Sequence, residues 1–204
     1  MNKVLLATRN RKKLIELQRI LDSALGAHRI ALIGLDDVET YPELPETGLT
    51  FGENALIKAR EGCRRTGLPT IADDSGLAVE ALNGMPGVFS ARWAGQHGDD
   101  HANLQLVLNQ IADVPDEHRG ASFVCTVALA LPGGKEHLVD GRQAGRLLRE
   151  PHGDGGFGYD PIFRGDGQDR TNAELTPAEK DAISHRGKAL RELAKLVAKV
   201  LPPA

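Results

Sequence analysis

The chain has 204 residues, 41% hydrophobic and 26% charged, a globular balance that argues against disorder. Its 25 basic and 28 acidic side chains give a net charge of −3, which leaves no electrostatic footprint for DNA, RNA or an anionic membrane surface. No apolar run approaches the roughly 18 residues of a membrane span. The two cysteines, Cys63 and Cys125, have no metal-ligand spacing, which excludes a disulfide framework or a zinc site.

Val4–Ala7 is a short apolar run that turns polar and basic at once, too short for a signal peptide. Leu14, Leu17, Leu21 and Leu25 then recur at helical spacing, and Gly26 closes the helix. Ile30–Leu35 reads as a strand and the acidic, Pro-bearing stretch 36–48 as a loop. Thr50 and Glu53 form a capping box for a helix running to about Thr66, stopped by Gly67 and Pro69. Thr70–Ala72 is a short strand ending in Asp73-Asp74-Ser75-Gly76, and Leu77–Val79 resumes apolar character. Asn83–Gly87 is a turn cluster, Asp100–Ile111 a helix, and Ala121–Leu131 a central strand paired through a turn with His137–Arg142. Thr176 caps a helix with Pro177 at its first position. A last helix carries Leu190, Leu193, Val197 and Leu201 and ends at Pro202-Pro203. The order predicts one α/β domain over residues 1–204, with a mixed, partly antiparallel central sheet flanked by helices. Two lobes are expected, with the site in the cleft between them.

Four segments carry chemistry, each with a plainer alternative. Thr8-Arg9-Asn10-Arg11-Lys12-Lys13 sits where a strand meets a helix, so free N–H groups and basic side chains suit a phosphate; the alternative is a solvated basic helix start. Asp73-Asp74-Ser75-Gly76 places two carboxylates after an apolar strand, costly unless they hold a cation such as Mg²⁺ or accept hydrogen bonds; the alternative is an Asx-turn. Gly153–Pro161 sets Phe157, Tyr159 and Asp160 among glycines, where a ring can stack and a carboxylate can take a ring N–H. Its alternative is a hairpin loop with two core aromatics. Ser184-His185-Arg186-Gly187, one helical turn after Lys180, offers donors to carbonyl or phosphate oxygens, or simply joins two helices. Arg64-Arg65 and Asp99-Asp100 read as solvated helix ends, and the remaining histidines as surface residues.

Together and in this order, these motifs resemble the Ham1-like family of pyrophosphatases acting on deaminated purine nucleoside triphosphates (dITP/XTP and inosine triphosphate). The family's opening Ser/Thr-Gly-Asn-x-x-Lys is similar to Thr8–Lys13, its Thr-Phe-x-Glu-Asn-Ala to Thr50–Ala55, followed by Lys58, and its Ala-Asp-Asp-Ser-Gly-Leu to Ala72–Leu77. Pro86–Arg92, Phe157–Pro161 and Ser184–Gly187 complete the set over nearly the whole chain. Arg9 departs from the family's glycine. It would be strained if the position needs a positive φ, and would add a contact if it touches phosphate.

The resemblance implies cleavage between the α- and β-phosphates of ITP, dITP and XTP, Mg²⁺ as cofactor, a homodimer and a cytoplasmic enzyme of nucleotide metabolism. It gives Asp74 as the catalytic proton acceptor and a metal ligand, with Glu46 as the second metal ligand. Thr8, Arg9, Asn10, Arg11, Lys12, Lys13, Lys58 and Ser75 fall on the phosphate side. Phe157, Gly158, Tyr159, Asp160, Lys180, His185 and Arg186 fall on the base side. Neither nucleic acid nor membrane is an expected partner. The rivals are a phosphatase working through an aspartyl-phosphate, a nucleotide-binding regulator, and the related Maf-like group. The first lacks its Asp-x-Asp spacing, the second would not need paired acids, and the third lacks the Ser-His-Arg-Gly ending.

Overall fold

The computed structural model describes residues 2–9, 11–26 and 30–201. The expectations for Asn10, His28 and Pro202-Pro203 lie outside the described residues, as does the side chain of Lys12. Two compact units form, one from Met1–Asp74, Thr126–Asp140 and Ala189–Ala204, the other from Ser75–Cys125 and Gly141–Lys188.

In the first unit, strand β1 (Asn2–Leu6) leads into helix α1 (Arg11–Leu25), which buries Leu17 and Leu21 and ends at Gly26, whose φ is 88°. Strand β2 (Ile30–Ile33) returns parallel to β1, with Val4 opposite Leu32. A single 3₁₀ turn, Leu35–Asp37, takes the end of the expected strand because the Asp37 carboxylate accepts from Gly34 N–H at 2.8 Å. Helix α2 (Phe51–Thr66) begins at the capping box read from the sequence: Thr50 Oγ1 accepts from Glu53 N–H at 3.2 Å and Glu53 Oε2 accepts from Thr50 N–H at 3.0 Å. It ends at Gly67 (φ 68°), whose N–H reaches Cys63 O. Gly62 lets α2 approach the sheet, since a Cβ there would lie 2.8 Å from Thr70 Cγ2.

Strand β3 (Thr70–Val79) corrects the expected strand–turn–strand: it runs unbroken through Asp73, Asp74, Ser75 and Gly76. The physical reason lies in its start, which pairs parallel to β1 through Leu5–Thr70 and Leu6–Ile71. β1 therefore has β2 on one side and β3 on the other, and right-handed crossovers put α1 and α2 on opposite faces. Successive side chains of a strand also alternate faces. Ala72 accordingly packs with Ala55 and Ala59 of α2, and Asp74 bonds to α2, while Asp73 bonds to α1. Each carboxylate finds a donor on its own face, so the pair is held without a turn.

The sheet order is β2-β1-β3-β4-β5-β6. Strands β4 (Gly120–Ala130) and β5 (Glu136–Leu147) form the expected hairpin, antiparallel by the bonds Leu131 N–H to Lys135 O and Leu147 N–H to Arg119 O. β5 extends five residues past its expected end at Arg142, because Gly145–Leu147 pair with a short strand not foreseen, β6 (Phe163–Gly165). The mixed α/β sheet is as expected. In the second unit, α3 (Asp100–Gln110) packs Leu104, Val107 and Leu108 with Leu77, Phe123, Ile162 and Phe163 in one buried cluster. Arg119 is 2% exposed there, and its guanidinium donates to the carbonyls of Ile111, Leu147 and Leu148. Helices α4 (Pro177–Ile183) and α5 (His185–Val200) follow, α4 starting at the foreseen cap Thr176, which forms a capping box with Glu179.

Candidate active site

The first unit gathers acids and bases around α2. Asn54 is fully buried and uses both ends of its amide: Nδ2 donates to Asp74 Oδ2 at 3.0 Å, and Oδ1 accepts from Gly48 N–H at 2.8 Å. One turn on, Lys58 Nζ donates to Glu46 Oε1 at 2.6 Å. Residues four apart share a helix face, so Asp74 and the loop bearing Glu46 are both fastened to one stripe of α2. On α1, Lys13 Nζ donates to both oxygens of Asp73, at 3.0 and 2.9 Å.

Arg9 does not take a positive φ, which among the described non-glycine residues belongs to Asn83. Its guanidinium instead bonds Asp36 at 3.0 Å and Glu43 at 3.1 Å, which raises its pKa further and ties the acidic loop to the end of β1. Thr8 and the exposed Arg11 line a cavity of about 630 Å³ along α1.

Among the described residues no three His, Cys, Asp or Glu side chains group to hold a metal. The donor set offers instead two hard carboxylates, Asp74 and Glu46, each fixed by a hydrogen bond from α2. That fits a cation such as Mg²⁺, which takes one or two protein carboxylates and completes its shell with water and phosphate.

The second unit holds a cavity of about 120 Å³ lined by Ser75, Gly76, Ser90, Asp100, Phe123, Phe157, Tyr159, Asp160 and His185. That is smaller than pockets for drug-sized ligands, which run to roughly 300–1,000 Å³. The glycine loop is folded onto Asp160. Asp160 Oδ2 accepts from Phe157 N–H at 2.8 Å, and Gly156 has φ 75° with no room for a Cβ against that carboxylate. Lys180 Nζ pairs with the same oxygen of Asp160, whose side chain is 3% exposed, and lies 4.6 Å from the Phe157 ring centre.

The two aromatics of the loop part company. Phe157 is 60% exposed, whereas Tyr159 is buried and donates its hydroxyl to Ser90 O at 2.8 Å. Burial, with a smaller push from the Asp100 charge, drives the Tyr159 phenol pKa well up. Ser184 Oγ accepts from Gly187 N–H at 3.0 Å and so caps α5, placing His185 and Arg186 in its first turn. His185 is buried and stacks on Phe123, centroids 5.0 Å apart and planes 14° apart.

The structure therefore brings Asp73 with Lys13, Asp74 with Asn54, and Glu46 with Lys58; it also brings Ser75, Phe157, Gly158, Tyr159, Asp160 and His185 around the small cavity, with Lys180 paired to Asp160. Arg186 is half-buried beside His185. Sequence reasoning missed Asn54, Ser90, Asp100 and Phe123. Asn54 and Ser90 stand inside motifs already singled out. Asp100, read as a solvated helix end, accepts from Gly158 N–H at 2.8 Å and pins the glycine loop. Asp99 caps α3 through Ala102 N–H, and His137, read as a surface residue, has a buried Nε2.

The chain belongs to the Ham1 family, whose model matches residues 4–196. It is 62% identical over 198 residues to a dITP/XTP pyrophosphatase of Nocardia farcinica, covering 97% of this chain and 96% of that one. Among solved structures, a nucleoside-triphosphatase / dITP/XTP pyrophosphatase of Mycobacterium abscessus is 59% identical with a TM-score of 0.81, covering 94% of this chain and 98% of that one. A HAM1 protein of Coxiella burnetii is 44% identical with a TM-score of 0.90, covering 98% and 100%. Among the described residues no helix is long and apolar enough to cross a membrane.

Proposed function

We propose that this chain hydrolyses the deaminated purine nucleoside triphosphates ITP, dITP and XTP to nucleoside monophosphate and diphosphate, clearing them from the nucleotide pool. The observation that carries the reading is the Asn54 amide, which fixes Asp74 and the Glu46-bearing loop beside Lys58. The activity named for relatives at about 60% identity supports it.

In this reading Asp74 orients the attacking water and takes its proton while water oxygen attacks the α-phosphorus. The bond from that phosphorus to the bridging oxygen breaks and diphosphate leaves. Asp74 and Glu46 would hold Mg²⁺. When bound, the ion supplies positive charge to the phosphate oxygens and the leaving diphosphate. Lys13 and Lys58, each now neutralised by a carboxylate, turn toward the triphosphate, with Thr8, Asn10, Arg11, Lys12 and Ser75 completing the phosphate contacts. Arg9 holds the acidic loop and adds positive charge.

At the other end Phe157 stacks on the purine, and Tyr159 and Gly158 shape the pocket wall. Asp160 accepts from a ring N–H, with Lys180 beside it, and His185 and Arg186 donate to the carbonyl at C6. Adenine presents an amino donor there, so donor would meet donor. Sites that leave buried polar groups unpaired reject a wrong ligand by factors of ~10⁴. We place the enzyme in the cytoplasm as a homodimer of single-domain chains, with a nucleotide and no nucleic acid or membrane as partner; the free thiols of Cys63 and Cys125 support a reducing compartment.

The test is product analysis by ion exchange after incubation with Mg²⁺ and ITP, XTP, dITP, ATP or GTP. The expected products are IMP, XMP and dIMP with diphosphate, ATP and GTP remaining largely intact. Orthophosphate with a nucleoside diphosphate would overturn the reading.

A further inference from the structure

Behind Asp160 lies a chain of buried amides that no motif predicted. Asn172, 1% exposed, donates Nδ2 to Asp160 Oδ1 at 3.4 Å and to Gln143 Oε1 at 3.1 Å. Gln143, 3% exposed, returns Nε2 to Asn172 Oδ1 at 2.9 Å. A carboxylate only accepts, so Asp160 fixes which end of the Asn172 amide faces it, and the reciprocal pair then fixes Gln143. The turn carrying Asn172 is itself pinned: Thr171 N–H donates to Glu174 Oε2 at 2.7 Å and Thr171 Oγ1 to His152 O at 2.8 Å.

Asp160 Oδ2 is already engaged by Phe157 N–H and Lys180. Asn172 is the donor that engages Oδ1. A carboxylate has about four acceptor positions, so these three donors leave one, on Oδ1; Asp160 itself lines the small cavity.

We infer that Asn172, backed by Gln143, is a positioning residue for base recognition: it sets the plane of the Asp160 carboxylate so that the remaining lone pair of Oδ1 meets a purine N–H. This rests on the base-reading role given to Asp160 above. Removing the amide frees the carboxylate to rotate about its end, which weakens binding of the base more than it slows chemistry at the phosphate.

The experiment compares kcat and KM for ITP and ATP in Asn172→Ala, Gln143→Leu, the double variant and Asp160→Asn, with melting temperatures alongside. Asn172→Ala is expected to lower kcat/KM for ITP on the order of tenfold, mainly through KM, and to lower the ITP-to-ATP preference equally. Adding Gln143→Leu to it changes the preference no further, because the two act as one unit. Should alanine fail to fold, Asn172→Ser is read the same way. Equal losses on both nucleotides, or independent additive losses in the double variant, would overturn the positioning role. An unchanged preference in Asn172→Ala beside a collapsed one in Asp160→Asn would overturn it while leaving base reading intact. An unchanged preference in Asp160→Asn would remove the base-reading role of Asp160, and the inference with it.

Discussion

Asn54 holds Asp74 with one end of its amide and the backbone of Gly48 with the other, at 3.0 and 2.8 Å. A buried side chain on a rigid helix thereby sets the distance between a strand carboxylate and the loop that carries Glu46. Asn54→Ala would strand one buried donor and loosen one carboxylate. The expected cost is about 1–3 kcal/mol of stability and a fall in kcat of roughly ten- to a hundredfold. Chemical denaturation and steady-state kinetics measure the two; unaltered kcat in a folded variant would show that Asp74 needs no such anchor.

Asp74→Asn separates chemistry from folding. The new amide oxygen still accepts from Asn54 Nδ2, so the local bond survives and the melting temperature should stay within a few degrees. The proton acceptor is lost, and turnover of ITP should drop by about 10²–10⁴. Near-wild-type rates would remove Asp74 from the reaction.

The helices, their caps and the central hairpin were legible because they rest on local signals: Thr50 with Glu53, Thr176 with Glu179, and glycine at the end of α2. Asp73 and Asp74 were legible as residues of interest but not as strand residues. Their low strand propensity is overridden by partners 60 and 20 positions away, Lys13 and Asn54. The unlike fates of Phe157 and Tyr159 were equally hidden, since a glycine loop does not say which ring turns inward; the Ser90 carbonyl decides it. Asp100 was read as solvent-facing because its partner, Gly158 N–H, lies 58 residues on.

Ser90 offers a test of that hidden frame. Its hydroxyl accepts from Leu77 N–H at 2.9 Å and donates to Gly87 O at 2.6 Å, while its carbonyl receives Tyr159. Ser90→Ala would leave a buried N–H unpaired beside Gly76, with an expected loss of about 1–3 kcal/mol. Tyr159→Phe removes only one hydrogen bond, worth about 1 kcal/mol. Equilibrium unfolding should rank the serine variant as the less stable; the opposite order would show that Tyr159 is the main tie.

Arg186 faces a sharper question. Arg186→Ala should lower kcat/KM for ITP well over tenfold while leaving Mg²⁺ dependence and the melting temperature close to wild type, if it donates to the base as proposed. Parallel kinetics on ITP and ATP decide it. Equal losses on the two would assign Arg186 to the phosphates or to the fold.

Glu179 gives α4, and with it Lys180, a defined acid limit. Its carboxylate accepts from Arg170 at 2.7 Å and from Thr176 N–H at 2.8 Å, and these donors hold its pKa down to about 2 from an ordinary 4.5. A carboxyl depressed in the folded state contributes its stabilisation fully above the unfolded value and loses it as pH falls through the folded one. The cap should therefore stay charged at pH 4 and be lost only as pH falls toward 2. Arg170→Ala removes the largest cause of the shift, so the midpoint should move up toward the ordinary carboxylate range. NMR titration of the Glu179 side-chain carbon reads both midpoints directly. A wild-type midpoint above 4, or no upward move in Arg170→Ala, would show that the Arg170 pair does not govern the start of α4.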